Sequence, residues 1–205
     1  MPFTALFRLA LATALWVGLQ PAAAAPGLPD TIERVKPSIV GVGSVLITRR
    51  PPAKFVGTGF VIGDGWHVMT NAHVVPRKLD VEKNETLAVL VEGGSARKAQ
   101  LVAMDRNYDL AVLRIEGRRL PALELAPERR VREGELYAFT GFPIGMVLGM
   151  YPVTHRGIIG SITPVAVPQL SARLLDPRMI RRLEDPYDVY QLDATAYPGN
   201  SGSPV

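Results

Sequence analysis

Cysteine is absent from the 205-residue chain, which excludes disulfide staples, thiolate zinc sites and a cysteine nucleophile. Histidine is almost as scarce, with three residues at positions 67, 73 and 155. No H-E-x-x-H or comparable spacing joins them, so a metallohydrolase would lack ligands, and neither a metal nor a cofactor is expected. Charge of one sign does not dominate. The 23 Lys and Arg residues face 19 Asp and Glu for a net charge of +4, and the basic residues are scattered rather than gathered into a stripe with interleaved aromatics, which argues against a nucleic-acid partner. What is present is 47% apolar residues against 20% charged, enough to bury a core and without the composition of disorder.

Long hydrophobic runs are also missing, apart from one near the start. Arg8 precedes a largely apolar run from Leu9 to Leu19, followed by Pro21 and the small residues Ala22 to Ala25. The run falls short of the roughly 20 residues that cross a bilayer. The Ala22-Ala23-Ala24 pattern offers a cleavage site, so residues 1–24 are expected to be a secretory signal peptide and residues 25–205 the working domain. A periplasmic or secreted location follows, with no stable membrane span after cleavage.

Beyond the leader, Asp30 is expected to cap a short helix running to about Val35, because Pro37 prevents its continuation. Short runs rich in Val, Ile, Leu and aromatics then recur between Gly, Pro, Asp and Asn turn signals. They predict strands at Ser38–Ile47, Phe55–Ile62, His67–Thr70, Leu87–Val91, Ala99–Met104, Leu110–Ile115, Leu136–Thr140, Gly157–Ile162 and Val189–Leu192. Many short strands with little helix predict an all-β barrel or sandwich. Between Thr163 and Asp188 the pattern lapses into a proline-bracketed, arginine-rich stretch, read as a long surface loop with a helical turn or two around Met179–Leu183.

Three segments carry candidate chemistry. His73 follows the His67–Thr70 strand where the chain turns, whereas His67 and His155 have no nucleophile-like neighbourhood. Asp109 stands alone at the mouth of the apolar run Leu110-Ala111-Val112-Leu113, where an acid needs a partner. Ser201 lies in the glycine-rich turn Pro198-Gly199-Asn200-Ser201-Gly202-Ser203-Pro204, which lets backbone N–H groups face one concavity. A hydroxyl, an imidazole, a carboxylate and a pair of backbone donors are the parts that serine hydrolysis of a peptide bond requires.

Thr58-Gly59-Phe60-Val61-Ile62, Thr70-Asn71-Ala72-His73-Val74-Val75, Asp109-Leu110-Ala111-Val112-Leu113, Gly141-Phe142-Pro143 and Gly199-Asn200-Ser201-Gly202-Ser203-Pro204 together resemble the HtrA/Deg branch of trypsin-like serine proteases. The resemblance runs from about Thr31 to Val205. It implies a chymotrypsin-like double six-stranded β-barrel with the site between barrels, the second barrel being expected to be incomplete because the chain stops at Val205. It also implies His73, Asp109 and Ser201 as base, orienter and nucleophile, with the Gly199 and Ser201 N–H groups as the oxyanion hole. Asp193 matches an acid often found there, read as making a structural hydrogen bond. Ser203 departs from the glycine of most HtrA proteins and is similar to the glutamyl-endopeptidase branch. The implied activity is exported serine endopeptidase, acting through an acyl-enzyme on polypeptides, misfolded proteins among them, in protein quality control, with homo-oligomerisation as a further expectation.

Competing readings are weaker. An α/β-hydrolase orders its triad Ser, acid, His and uses G-x-S-x-G, whereas here the order is His, Asp, Ser and position 203 is Ser. A non-catalytic peptide-binding or chaperone-like protein on the same scaffold is the alternative from another class, since fold does not dictate function.

Overall fold

The computed structural model describes residues 27–127, 130–144, 149–165 and 185–205. The leader and the turns expected near Met179–Leu183 lie outside the described residues. Helix α1, Leu28–Val35, opens the described part. It starts earlier than expected: Gly27 is the N-cap, a proline occupies the start of the first turn, and Asp30 sits at the third helical position, where its carboxylate accepts the Gly27 N–H at 3.2 Å. Proline is preorganised for a first turn, so Asp30 serves as the reaching-back partner rather than as the cap itself.

Nine strands follow among the described residues: β1 Ile39–Val45, β2 Ala53–Ile62, β3 His67–Asn71, β4 Thr86–Leu90, β5 Ala96–Asp105, β6 Leu110–Ile115, β7 Leu136–Gly141, β8 Val153–Pro164 and β9 Asp188–Asp193. Each overlaps an expected strand. The first six close into an antiparallel barrel in the order β1-β2-β3-β6-β5-β4, and the last three form a sheet in the order β7-β8-β9. The architecture is thus all-β, with one closed barrel and part of a second.

Barrel closure explains which side chains are apolar. Val40, Val42, Val61, Val68, Val89, Ala111 and Leu113 alternate inward and are essentially inaccessible to solvent, as period-2 strands lining a closed interior must be. A second cluster of Ile39, Leu90, Phe142 and Met150, flanked by Phe55 and Phe60, packs the barrel against the segment that follows β7. Phe142 is fully buried and meets Phe55 edge to face, with centroids 6.1 Å apart. Burial of such a ring contributes about 1.5–3 kcal/mol, and it holds β7 against the wall that carries the site.

Candidate functional site

Antiparallel register brings two of the expected residues together. β3 pairs β6 with Asn71 opposite Leu110, so Asp109, the residue before β6, falls opposite Ala72 and the His73 turn. The Asp109 carbonyl accepts from Ala72 N–H at 3.0 Å and from the Asn71 amide at 2.9 Å. One carboxylate oxygen accepts the His73 backbone N–H at 2.9 Å and the other faces His73 Nδ1 at 2.6 Å. Asp109 adopts a left-handed conformation, φ 54°, sparsely populated outside glycine, with Asp among the residues that tolerate it. The turn leading to it is shaped by Asp105, whose carboxylate accepts the N–H groups of Asn107 and Tyr108 at 2.8 and 3.1 Å.

The pairing has a chemical consequence. A carboxylate only accepts, so the proton in that contact belongs to imidazole Nδ1, which leaves Nε2 of a neutral ring as a proton acceptor. Half of the His73 side chain remains accessible.

Ser201 is held by β2 of the same barrel. Its carbonyl accepts the Thr58 N–H at 2.8 Å. The Thr58 hydroxyl donates to the Gly199 carbonyl at 2.7 Å and accepts the Phe142 N–H at 3.1 Å. The Thr58 carbonyl in turn accepts the Thr70 hydroxyl at 2.6 Å. Thr58 is fully buried in β2, and it ties the turn that carries Ser201 to β3 and to the end of β7. Gly202 has φ 88°, and a Cβ there would lie 2.0 Å from the Thr58 carbonyl oxygen. Only glycine fits that approach.

Gly57 places the two halves side by side. A Cβ on it would lie 2.8 Å from Val74 Cγ2 and 3.0 Å from the Ser201 carbonyl oxygen, so the residue after His73 and the backbone of Ser201 crowd the same point of β2. The cleft beside it, about 550 Å³, is lined by Asn71, Phe139, Tyr197, Ser201 and Ser203 among others. Among the described residues no acceptor takes the N–H of Gly199 or of Ser201. The His73 ring bonds to Asp109 and makes no hydrogen bond to Ser201 Oγ among the described residues; such contacts commonly tighten only when substrate binds.

The histidines set aside from the sequence are placed elsewhere. His67 Nδ1 meets Asp64 at 2.9 Å in the β2–β3 hairpin, where the Trp66 N–H and then His67 hold the Asp64 carboxyl below its usual range. His155 stacks on Phe139 with centroids 5.0 Å apart. Asp193 closes β9, and among the described residues its carboxylate makes no hydrogen bond; a Cβ on Gly157 would lie 2.2 Å from its carbonyl oxygen.

With the barrel, the His73–Asp109 pair and the glycine-rich turn in hand, comparison with known proteins is informative. Residues 57–205 match the trypsin-like peptidase domain family. The chain belongs to the trypsin-like peptidases, of the HtrA/Deg type. This trypsin-like chain is 34% identical over 154 residues to a protein of Halomonas elongata named as a DegP-like periplasmic serine endoprotease, an overlap covering 73% of this chain and 26% of that one. Human serine protease HTRA4 is 29% identical over 178 residues, covering 85% and 33%. The chain therefore spans about a quarter to a third of the length of these relatives. A solved serine endoprotease from Yersinia pestis shares the fold, with a TM-score of 0.58 at 23% identity over 87% of this chain and 53% of that one.

Two connections escaped the sequence reading of this peptidase domain. Thr58 was visible only as part of a motif, because its partners are as far as 141 residues away. The second is a clasp at the end of the long arginine-rich segment. Tyr108 donates its hydroxyl to Asp185 at 2.8 Å, its ring lies 4.8 Å from that of Tyr187, and the Tyr187 hydroxyl donates to the Asn107 carbonyl at 3.2 Å. The Asp185 carboxylate pushes the Tyr108 phenol above its ordinary pKa. The base of that segment is thus docked on the turn that presents Asp109.

Proposed function

We propose that the protein is an exported serine endopeptidase that cleaves polypeptides through an acyl-enzyme on Ser201. The observation that carries the reading is the direct pairing of His73 Nδ1 with Asp109 at 2.6 Å on the barrel wall that also holds the Ser201 backbone. In the reaction, Ser201 Oγ attacks the scissile carbonyl carbon while His73 Nε2 takes the hydroxyl proton. Asp109 keeps the imidazole in the Nδ1–H tautomer and stabilises the imidazolium without itself being protonated. The negative charge that develops on the carbonyl oxygen is met by the Gly199 and Ser201 N–H groups, each donor contributing roughly 3 kcal/mol by comparison with oxyanion holes generally. His73 then protonates the leaving amine, and water, deprotonated by the same imidazole, releases the acid and regenerates Ser201.

The leader pattern and the periplasmic description of the Halomonas relative support a periplasmic or secreted site of action. Among the described residues no helix is long and apolar enough to cross a membrane. Misfolded proteins as substrates and assembly into homo-oligomers are parts of the same proposal. A fluorophosphonate probe followed by peptide mass mapping tests it. The adduct is expected on the peptide containing Ser201 and within it on that residue, with labelling lost in both Ser201→Ala and His73→Ala. An adduct on Ser203, or none on folded protein, would overturn the assignment.

A further inference from the structure

We infer that Arg77 and Arg106 make the site selective for polypeptides bearing an Asp or Glu side chain close to the scissile bond; this rests on the endopeptidase reading above. A recess of about 60 Å³ is lined by Ala72, His73, Arg77, Arg106 and Asp109. Its two arginines arrive from different segments, Arg77 four residues after His73 and Arg106 three before Asp109. Both are exposed.

Among the described residues neither guanidinium has an ion-pair or hydrogen-bond partner, whereas Arg49 and Arg132 are each paired with a glutamate. The acids on the same segments are already committed. Asp109 spends one carboxylate oxygen on the His73 N–H and the other on Nδ1, and Asp105 caps the turn through the N–H groups of residues 107 and 108. Lys78, next to Arg77, adds a third cation. The His73 flank of the cleft therefore carries three cations, none of them ion-paired among the described residues, beside the carboxylates of Asp105 and Asp109.

A guanidinium is a planar fork of donors that matches a carboxylate, and it remains charged at any working pH. Two of them beside the imidazole also oppose the imidazolium that forms as Ser201 attacks. A substrate carboxylate lodged between them offsets the two guanidinium charges at that moment and adds to the charge that Asp109 supplies, so the selectivity falls on kcat/KM through the transition state and not on binding alone.

The test uses peptide pairs that differ only as Asp against Asn or Glu against Gln, scanned through the three residues on each side of the cleavage point, with the neutral parent alongside. At one or more positions the acid is expected to raise kcat/KM by roughly 5- to 10-fold at low salt, fading as ionic strength grows and the screening length shrinks to a few ångströms. Arg77→Gln with Arg106→Gln should bring the acid-to-amide ratio to about one, and Arg77→Glu with Arg106→Glu should drive it below one. A wild-type ratio near one at every position, needing no variant, overturns the inference, as does a ratio unchanged in the double variants. If the parent peptide is not cleaved and Ser201 is not labelled, the endopeptidase reading falls, and this inference with it.

Discussion

At the residue scale the site depends on one hydroxyl that carries out no chemistry. Thr58 Oγ holds the Gly199 carbonyl and the Phe142 N–H at once, in a position closed to water. Thr58→Val keeps the shape but leaves both main-chain groups without a partner, and each such orphan costs about 1–3 kcal/mol. Thr58→Val is therefore expected to lower unfolding free energy by about 2–4 kcal/mol and to depress turnover by freeing the Gly199 peptide, whereas Thr58→Ser restores most of both. Denaturant melts paired with peptide hydrolysis decide the matter, and a valine variant of wild-type stability and activity would show that the nucleophile turn is held without the Thr58 hydroxyl. His73, Asp109 and Ser201 could be picked out from sequence because each sits in a local context that demands an explanation: an imidazole after a strand, an acid before an apolar run, a serine between glycines. Thr58 could not, since a threonine in a strand is ordinary and nothing local reveals that residues 142 and 199 fold onto it.

At the element scale the strands were legible and their ends were not. β5 starts at Ala96 rather than Ala99 because Ala96–Lys98 pair with β4, and β8 starts at Val153 because its first residues pair with β7 from Gly141 back to Ala138. Those extensions contain Arg, Lys, Thr and His, so cross-strand hydrogen bonding rather than hydrophobicity sets them. The β1–β2 hairpin is fastened by similar polar means. Glu85, just before β4, accepts from the Ser44 hydroxyl at 2.6 Å, the Asp80 N–H at 2.9 Å and the Arg49 guanidinium at 2.7 Å. Ser44 above all, then Asp80 and Arg49, hold its carboxyl down at about 2 against an ordinary 4.5. Because the folded value lies below the unfolded one, the stabilisation is complete above about pH 4.5 and is lost as pH falls towards about 2. The stability gap between wild type and Glu85→Gln should therefore narrow as pH is lowered through that window. A gap that stays constant in acid would show that the carboxylate is not held by these partners.

At the scale of the whole molecule, the barrel could be anticipated as all-β from its turn spacing, whereas closure in the order β1-β2-β3-β6-β5-β4 emerges only from register between strands distant in sequence. The same distance governs timing. Thr58 is made 141 residues before the Gly199 it must hold, and joining ends so far apart follows the formation of nearer contacts. Trp66 packs against the interior of the first barrel and reports its closure by fluorescence. On dilution from denaturant, Trp66 emission is expected to recover before reactivity of Ser201 towards the probe; simultaneous recovery, or reactivity first, would contradict this. On the proposed endopeptidase reading, a copy caught half-folded among its neighbours accordingly carries all three triad side chains but not the knot that arms them, and it is harmless to its own siblings until the contacts of Thr58 have closed.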